Sequence, residues 1–212
     1  PGMAAHPAAA PDDCRSRLLS AAHAAFLEEG YRASVDRFAA RAGVAKQTFY
    51  NHFPHKADLF GEVIRQATAE LLIALDDDGR NLRERLIRFG IVYRDKALSA
   101  AGLGLFRVLA AEAARFPDLA KTVYRTGPAR TTARLAAVLQ AAMDRGELRD
   151  VDADFAATTL LSMLVGAERT RFLFSGEQPP RTNSMRAGEI VDCFLRAFAP
   201  ENSPLAVERN VP

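Results

Sequence analysis

From Asp12 onward, hydrophobic positions return every three or four residues. In "DDCRSRLLSAAHAAFLEEGY", Leu18, Leu19, Ala22, Phe26 and Leu27 share one face, the repeat of an amphipathic helix. Asp12 and Asp13 suit the positive N-terminal end, and Gly30 serves as its C-terminal cap. Ser34 is an N-cap for "SVDRFAARAG", a helix of barely two turns that Gly43 ends. A third short helix, about Ala45 to His52, stops because Pro54 disfavours helix at Phe53. A long amphipathic helix over about His55 to Leu75 follows, burying Phe60, Ile64, Leu71, Leu72 and Leu75.

The same period predicts helices at about Asn81–Ala97, Gly102–Phe116 and Pro117–Met143, the last broken at Gly127-Pro128. Two more cover about Asp152–Phe174 and Asn183–Phe198, with "SGEQPPRTN" as the clearest loop. Strand-like alternation is almost absent, so the fold class is all-α, with about nine helices. The expected division is a disordered tail at 1–11, a helix-turn-helix unit at 12–54, a helical body at 55–199 and a flexible tail at 200–212. Pro1-Gly2 before Met3 reads as an added remnant.

Composition changes this picture little. Half the residues are hydrophobic (49%), a quarter charged (25%), and the net charge is +2, the balance of a soluble globular chain. Any basic site must therefore be local. No apolar run approaches the roughly 18 residues of a membrane span. Cys14 and Cys193 have no metal-like spacing and read as small apolar core residues in a reducing cytoplasm. No metal or cofactor is expected.

Two short helices joined at a glycine, with a third in support, form a helix-turn-helix. Ala39 must be small where the helices cross, and Gly43 must pass through a tight turn. Phe38, Val44 and Phe49 are the expected small core. That leaves Lys46, Gln47, Thr48, Tyr50 and Asn51 exposed on the third helix. Lys and Gln suit guanine and adenine edges, and Thr offers a hydroxyl or methyl. Tyr50, His52 and Lys56 suit phosphates.

Taken alone, a polar helix face is by default a solvated one. His52 and His55 lack a third residue spaced to complete a metal site. The coincidence of Ala39, Gly43 and alternating polar and aromatic residues raises the DNA reading. Up to Lys56 there are seven Lys/Arg against five Asp/Glu, and all four histidines lie in that stretch.

"ASVDRFAARAGVAKQTFYNHFPHKADLF" resembles the DNA-binding signature of the tetracycline-repressor (TetR) family of bacterial regulators. The Gly-Tyr after the first helix and the Phe-Tyr-x-His-Phe-x-x-Lys run belong to that likeness. The resemblance implies a homodimeric repressor that binds double-stranded operator DNA in the bacterial cytoplasm and releases it when a small-molecule effector binds. By position it implies that Ser34 caps the second helix and touches phosphate. Lys46, Gln47 and Thr48 would approach bases, and Tyr50, His52 and Lys56 would hold the backbone. Ala45 and Gln47 stand where such regulators often have Ser or Thr and Gly, so the resemblance does not supply the operator sequence.

The body has length for two further tasks. The helix around 155–173 is apolar around much of its circumference. Phe155, Thr159, Met163, Gly166 and Thr170 lie near one stripe, with Leu160, Leu161, Leu164 and Leu173 nearby. Ile190, Val191, Phe194, Leu195 and Phe198 repeat the pattern at the end. Such stripes read first as intramolecular core. The resemblance assigns them to a twofold four-helix interface, with Leu160, Leu164, Ile190, Phe194 and Phe198 as candidates. Phe89, Tyr93, Phe106 and Tyr124 are candidate pocket residues for a largely apolar effector. Gly102 and Gly104 imply either a flexible segment there or a close helix contact. The helix from His55 is the natural lever between the two regions.

An enzyme would need a nucleophile–base set or metal ligands. The chain has no Gly-rich phosphate loop, no nucleophile elbow, and no histidine after residue 55. A helical partner-binding or structural protein is the other alternative. In it, alanine at Lys46, Gln47 and Tyr50 would leave function intact.

Overall fold

The computed structural model describes residues 11–29, 32–177 and 184–200. Among them are ten α-helices and no strand. The predicted tails at 1–11 and 200–212, apart from Pro11 and Pro200, lie outside the described residues. So do Gly30-Tyr31 and most of the "SGEQPPRTN" loop.

Helices α1 (Pro11–Glu29), α2 (Val35–Ala42) and α3 (Lys46–His52) precede the long α4 (Lys56–Ile73). Then follow α5 (Leu82–Ala97), α6 (Ala100–Glu112), α7 (Pro117–Thr126), α8 (Pro128–Asp144), α9 (Ala153–Ser175) and α10 (Ser184–Ala197). The break expected at Gly127-Pro128 separates α7 from α8 as two helices, with each proline in its helix's first turn, where its missing N–H costs nothing. Side-chain caps start several helices: Ser34 accepts from Arg37 N–H at 3.2 Å, Asn81 from Glu84 at 2.9 Å, and Asp152 from Phe155 at 2.7 Å.

Two hydrophobic cores organise the molecule. The first joins Leu18, Phe26, Phe38 and Phe49 to Leu59, Phe60, Val63 and Ile64 of α4, and to Leu119 and Val123 of α7. Its rings interlock, with Phe26 at 4.1 Å from Phe60 and 5.1 Å from Phe38 between centroids. The second joins Leu71 of α4 to Leu86 and Phe89 of α5, Leu135 and Leu139 of α8, Leu160 and Leu164 of α9, Phe194 of α10 and Phe198 just after it. Helix α4 contributes its first half to one core and its second half to the other. Eighteen residues give it a length of about 27 Å.

This packing corrects the expected dimer contacts. Leu160, Leu164 and Phe194 are fully buried within the chain and Phe198 nearly so, while Ile190 is half-buried against the same core. They fill the interior because their stripe faces α5 and α8. The other α9 stripe faces outward, exposing Phe155, Met163 and Phe174. Cys193, expected in the core, is exposed on α10, whereas Cys14 is half-buried.

Gly102 resolves the choice between flexibility and contact in favour of contact. A Cβ there would lie 2.0 Å from the Lys96 carbonyl oxygen. Ser99 fixes the same corner: its hydroxyl donates to the Lys96 carbonyl at 2.9 Å and accepts from Gly102 N–H at 3.0 Å, so α6 starts earlier than expected. Gly102→Ala should therefore destabilise the fold by about 1–3 kcal/mol, although alanine is the better helix former by about 1 kcal/mol. Urea unfolding measures this. A neutral or stabilised variant would show that the α5–α6 corner yields freely.

Candidate nucleic-acid interface and internal cavity

The turn between α2 and α3 is built on Gly43, whose φ of 65° and ψ of 37° are left-handed and open to few side chains. Its N–H bonds Ala40 O at 3.1 Å and the next N–H, of Val44, bonds Ala39 O at 2.9 Å, closing α2. Ala39 is buried where the helices cross. Phe49 is fully buried below α3, stacked on Phe38 at 6.4 Å and packed on Phe53 at 6.0 Å. The Tyr50 ring meets Phe49 edge-on at 5.3 Å yet remains 43% exposed. The apolar side of α3 thus fixes which residues face out.

Those residues are not idle. Lys46 pairs with Asp36 at 2.9 Å, and that hydrogen bond raises its pKa. The pair is exposed and screened by water, so opening it to reach DNA costs little. Gln47 donates to Asn51 Oδ1 at 3.2 Å, which orients both amides one turn apart along the exposed face. Thr48 and His52 are half-buried, and Ser34 is exposed. Ala45, at the N-cap of α3, makes no side-chain bond, as its sequence implies.

Lys56, expected at phosphate, makes a bond within the chain. It is half-buried and donates to the Ala33 carbonyl at 3.0 Å, and burial lowers its pKa. It ties α4 to the approach to α2, so any phosphate contact would be additional to that bond.

Ion pairs hold the three-helix unit in place. Arg41 clasps Glu28 through two bonds of 2.7 and 2.9 Å, and Arg37 pairs with Glu29, both joining α2 to α1. Arg15 reaches Glu62 at 3.2 Å and joins α1 to α4. Sequence spacing gave no sign of these partners.

A cavity of about 210 Å³ lies where the two cores meet. Ile64, Val123, Leu105 and Leu109 border it from the first core, and Leu71 and Tyr93 from the second. Of the four residues expected at an effector pocket, Tyr93 and Phe106 line this cavity and two others do not. Phe89 lies in the second core, fully buried and stacked on Tyr93 at 5.6 Å. Tyr124 is 65% exposed, since Leu119 and Val123 take the inward face of α7. Lys96 and Arg169 also line the cavity and were not anticipated. Its walls come from residues 64 to 169, so no local spacing marks them. Among the described residues no cluster of His, Cys, Asp or Glu suits a metal ion, and no helix is long and apolar enough to cross a membrane.

Residues 18–63 match the family model described as bacterial regulatory proteins, tetR family. Residues 84–200 match the AefR-like transcriptional repressor, C-terminal domain. An uncharacterised HTH-type transcriptional regulator of Mycobacterium tuberculosis is 32% identical over 139 residues, spanning 63% of this chain but 64% of that relative's length. The HTH-type transcriptional regulator EthR of the same organism is 32% identical over 181 residues, 80% of this chain and 79% of EthR. The solved structure of the flavonoid-responsive regulator FrrA superposes with a TM-score of 0.72 at 30% identity, covering 89% of this chain and 98% of that one. A TetR-family transcriptional regulator from Mesorhizobium loti gives a TM-score of 0.71 at 26% identity, covering 90% and 97%.

Proposed function

Because the chain belongs to the tetR family of bacterial regulatory proteins, we propose that it is a transcriptional repressor of the bacterial cytoplasm, homodimeric on a palindromic operator and released by a small, largely apolar effector. The observation that carries the DNA reading is α3 itself. A buried Phe49 and the left-handed Gly43 hold seven residues so that Lys46, Gln47, Tyr50 and Asn51 project together. Lys46, Gln47 and Thr48 face bases, while Ser34, Tyr50 and His52 hold phosphates, with Lys56 bracing α4.

The dimer contacts we assign are the outward stripe of α9, Phe155, Met163 and Phe174, with Met185 of α10. All four are large apolar side chains left exposed on the single chain. A twofold pair places two α3 helices on successive major grooves, about 34–36 Å apart. We place the boundary between the DNA-binding unit and the body at 54/55, although the first core continues into α4 and α7.

The cavity is our effector site. Ile64, Val123, Leu105 and Leu109 belong both to its wall and to the core beneath α3. A ligand that repacks them changes the seat of α4, and so favours the form whose two α3 helices are wrongly spaced. A coupling of about 1–3 kcal/mol is typical, and operator DNA weakens effector binding by the same factor.

The test is selection of tight binders from fragmented bacterial DNA, followed by titration of the winner at several salt concentrations. A palindrome is expected, with affinity falling linearly in log salt. Tyr50→Ala should weaken all sequences about equally, while Gln47→Ala relaxes preference at one base pair by about 1–3 kcal/mol. Enrichment of no sequence even at low salt would remove the repressor reading.

A further inference from the structure

The charges around the cavity are unbalanced. Its wall is largely leucine, isoleucine, valine and alanine, and no carboxylate lines it among the described residues. Thr68 spends its hydroxyl on the Ile64 carbonyl at 3.0 Å. Lys96 is compensated by Glu70 at 2.9 Å. Arg169 is different.

The Arg169 guanidinium lies 4.6 Å from the Phe106 ring centre, face-on to a side chain of the same wall. It makes no ion pair with a described residue, and its Nε is buried without a hydrogen-bond partner. The neighbouring carboxylate, Glu168, is turned away and committed to Arg94 at 2.6 Å. Arg169 also borders a second groove, of about 510 Å³, formed with Phe106, Gly166 and Phe174, so it stands between that groove and the cavity. A cation held by an aromatic face at the edge of an apolar chamber, with an unsatisfied N–H, lacks a counter-charge. A planar fork of donors matches a carboxylate.

We propose that Arg169 anchors the acidic group of the effector, and that the effector is a compact apolar monoanion whose body fills the cavity. This rests on reading the cavity as the effector site. At about 210 Å³ the cavity falls below the roughly 300–1,000 Å³ of pockets for drug-sized ligands, which suits one or two fused rings or a short branched chain.

The experiment titrates the full chain calorimetrically with 2-naphthoate and with the neutral 2-naphthalenemethanol, on the native protein, Arg169→Met and Arg169→Lys. The native protein is expected to prefer the acid by about tenfold or more, the scale of a charge-assisted hydrogen bond. Arg169→Met should abolish that preference while still binding the alcohol, which also reports that the fold is intact. Arg169→Lys should keep part of it. Equal binding of acid and alcohol by the native protein, or a preference that survives in Arg169→Met, would overturn the proposal and leave the cavity as an effector site. Binding of neither probe would remove both. Gel filtration of Arg169→Met adds one arm: conversion to monomer would assign Arg169 to the subunit interface instead.

Discussion

Glu168→Ala is expected to destabilise the fold by about 3 kcal/mol or more, far beyond what replacing its partner costs. Arg94 is fully buried in α5, bonded to the Leu164 carbonyl and to Glu168 at 2.6 Å. Removing the carboxylate takes from a buried guanidinium a charge that helps to offset its desolvation, and breaking a buried pair typically costs about 3–5 kcal/mol. The lower end applies because the Glu168 side chain is 29% exposed and water reaches part of the site. Arg94→Met should be milder, since methionine fills much of the space and Glu168 turns to solvent. Chemical unfolding of both variants decides it, and equal costs would show that the buried cation does not set the asymmetry.

The same pair predicts a pH dependence. The Arg94 hydrogen bond holds the Glu168 carboxyl below its usual range, outweighing the opposing effect of burial. A carboxyl lowered in the folded state contributes stability that is present above its unfolded pKa, about 4.3. That contribution is lost as pH falls through the lower folded value. The stability gap between the native protein and Glu168→Gln should therefore be full near neutrality and close below about pH 4. Glu28 and Asp192 are also lowered by their arginines but are present in both proteins, so the difference isolates Glu168.

The helix-turn-helix was legible because its requirements are local. Ser34, Ala39, Gly43 and Phe49 act within sixteen residues, and each is tied to a backbone or packing need that sequence spacing displays. The α7–α8 break at Pro128 was legible for the same reason. Inside and outside on α9 were not. Both of its stripes are apolar, and periodicity cannot tell a face that meets the chain's own core from one left for a second chain. Leu160 and Leu164 are buried in the chain's own core, whereas Phe155 and Met163 are exposed and only by our proposal meet a second chain. Arg169 was hidden more deeply. In "GAERTRF" it reads as one charge of a solvated turn, and its place beside Phe106 depends on how α6 packs against α9.

Phe49→Ala should abolish specific DNA binding, by more than about 100-fold, while leaving much of the body folded. A buried Phe→Ala change costs about 3–5 kcal/mol. That falls on a seven-residue helix whose N-cap, Ala45, makes no side-chain bond. Helices this short have no stability of their own in water, so tertiary packing is what keeps α3 formed. Amide hydrogen exchange should show α2 and α3 losing protection first, while α5, α8, α9 and α10 stay protected by the second core. The wall shared by the cavity and the first core makes the outcome informative. If α9 and α10 lose protection together with α3, Ile64, Val123, Leu105 and Leu109 bind the two cores into one cooperative unit, and loss of DNA binding is then global unfolding. If α3 alone opens, those four residues link two units that rearrange separately. The release we propose needs that second behaviour, because a ligand would have to change the seat of α3 without dissolving the body that holds it.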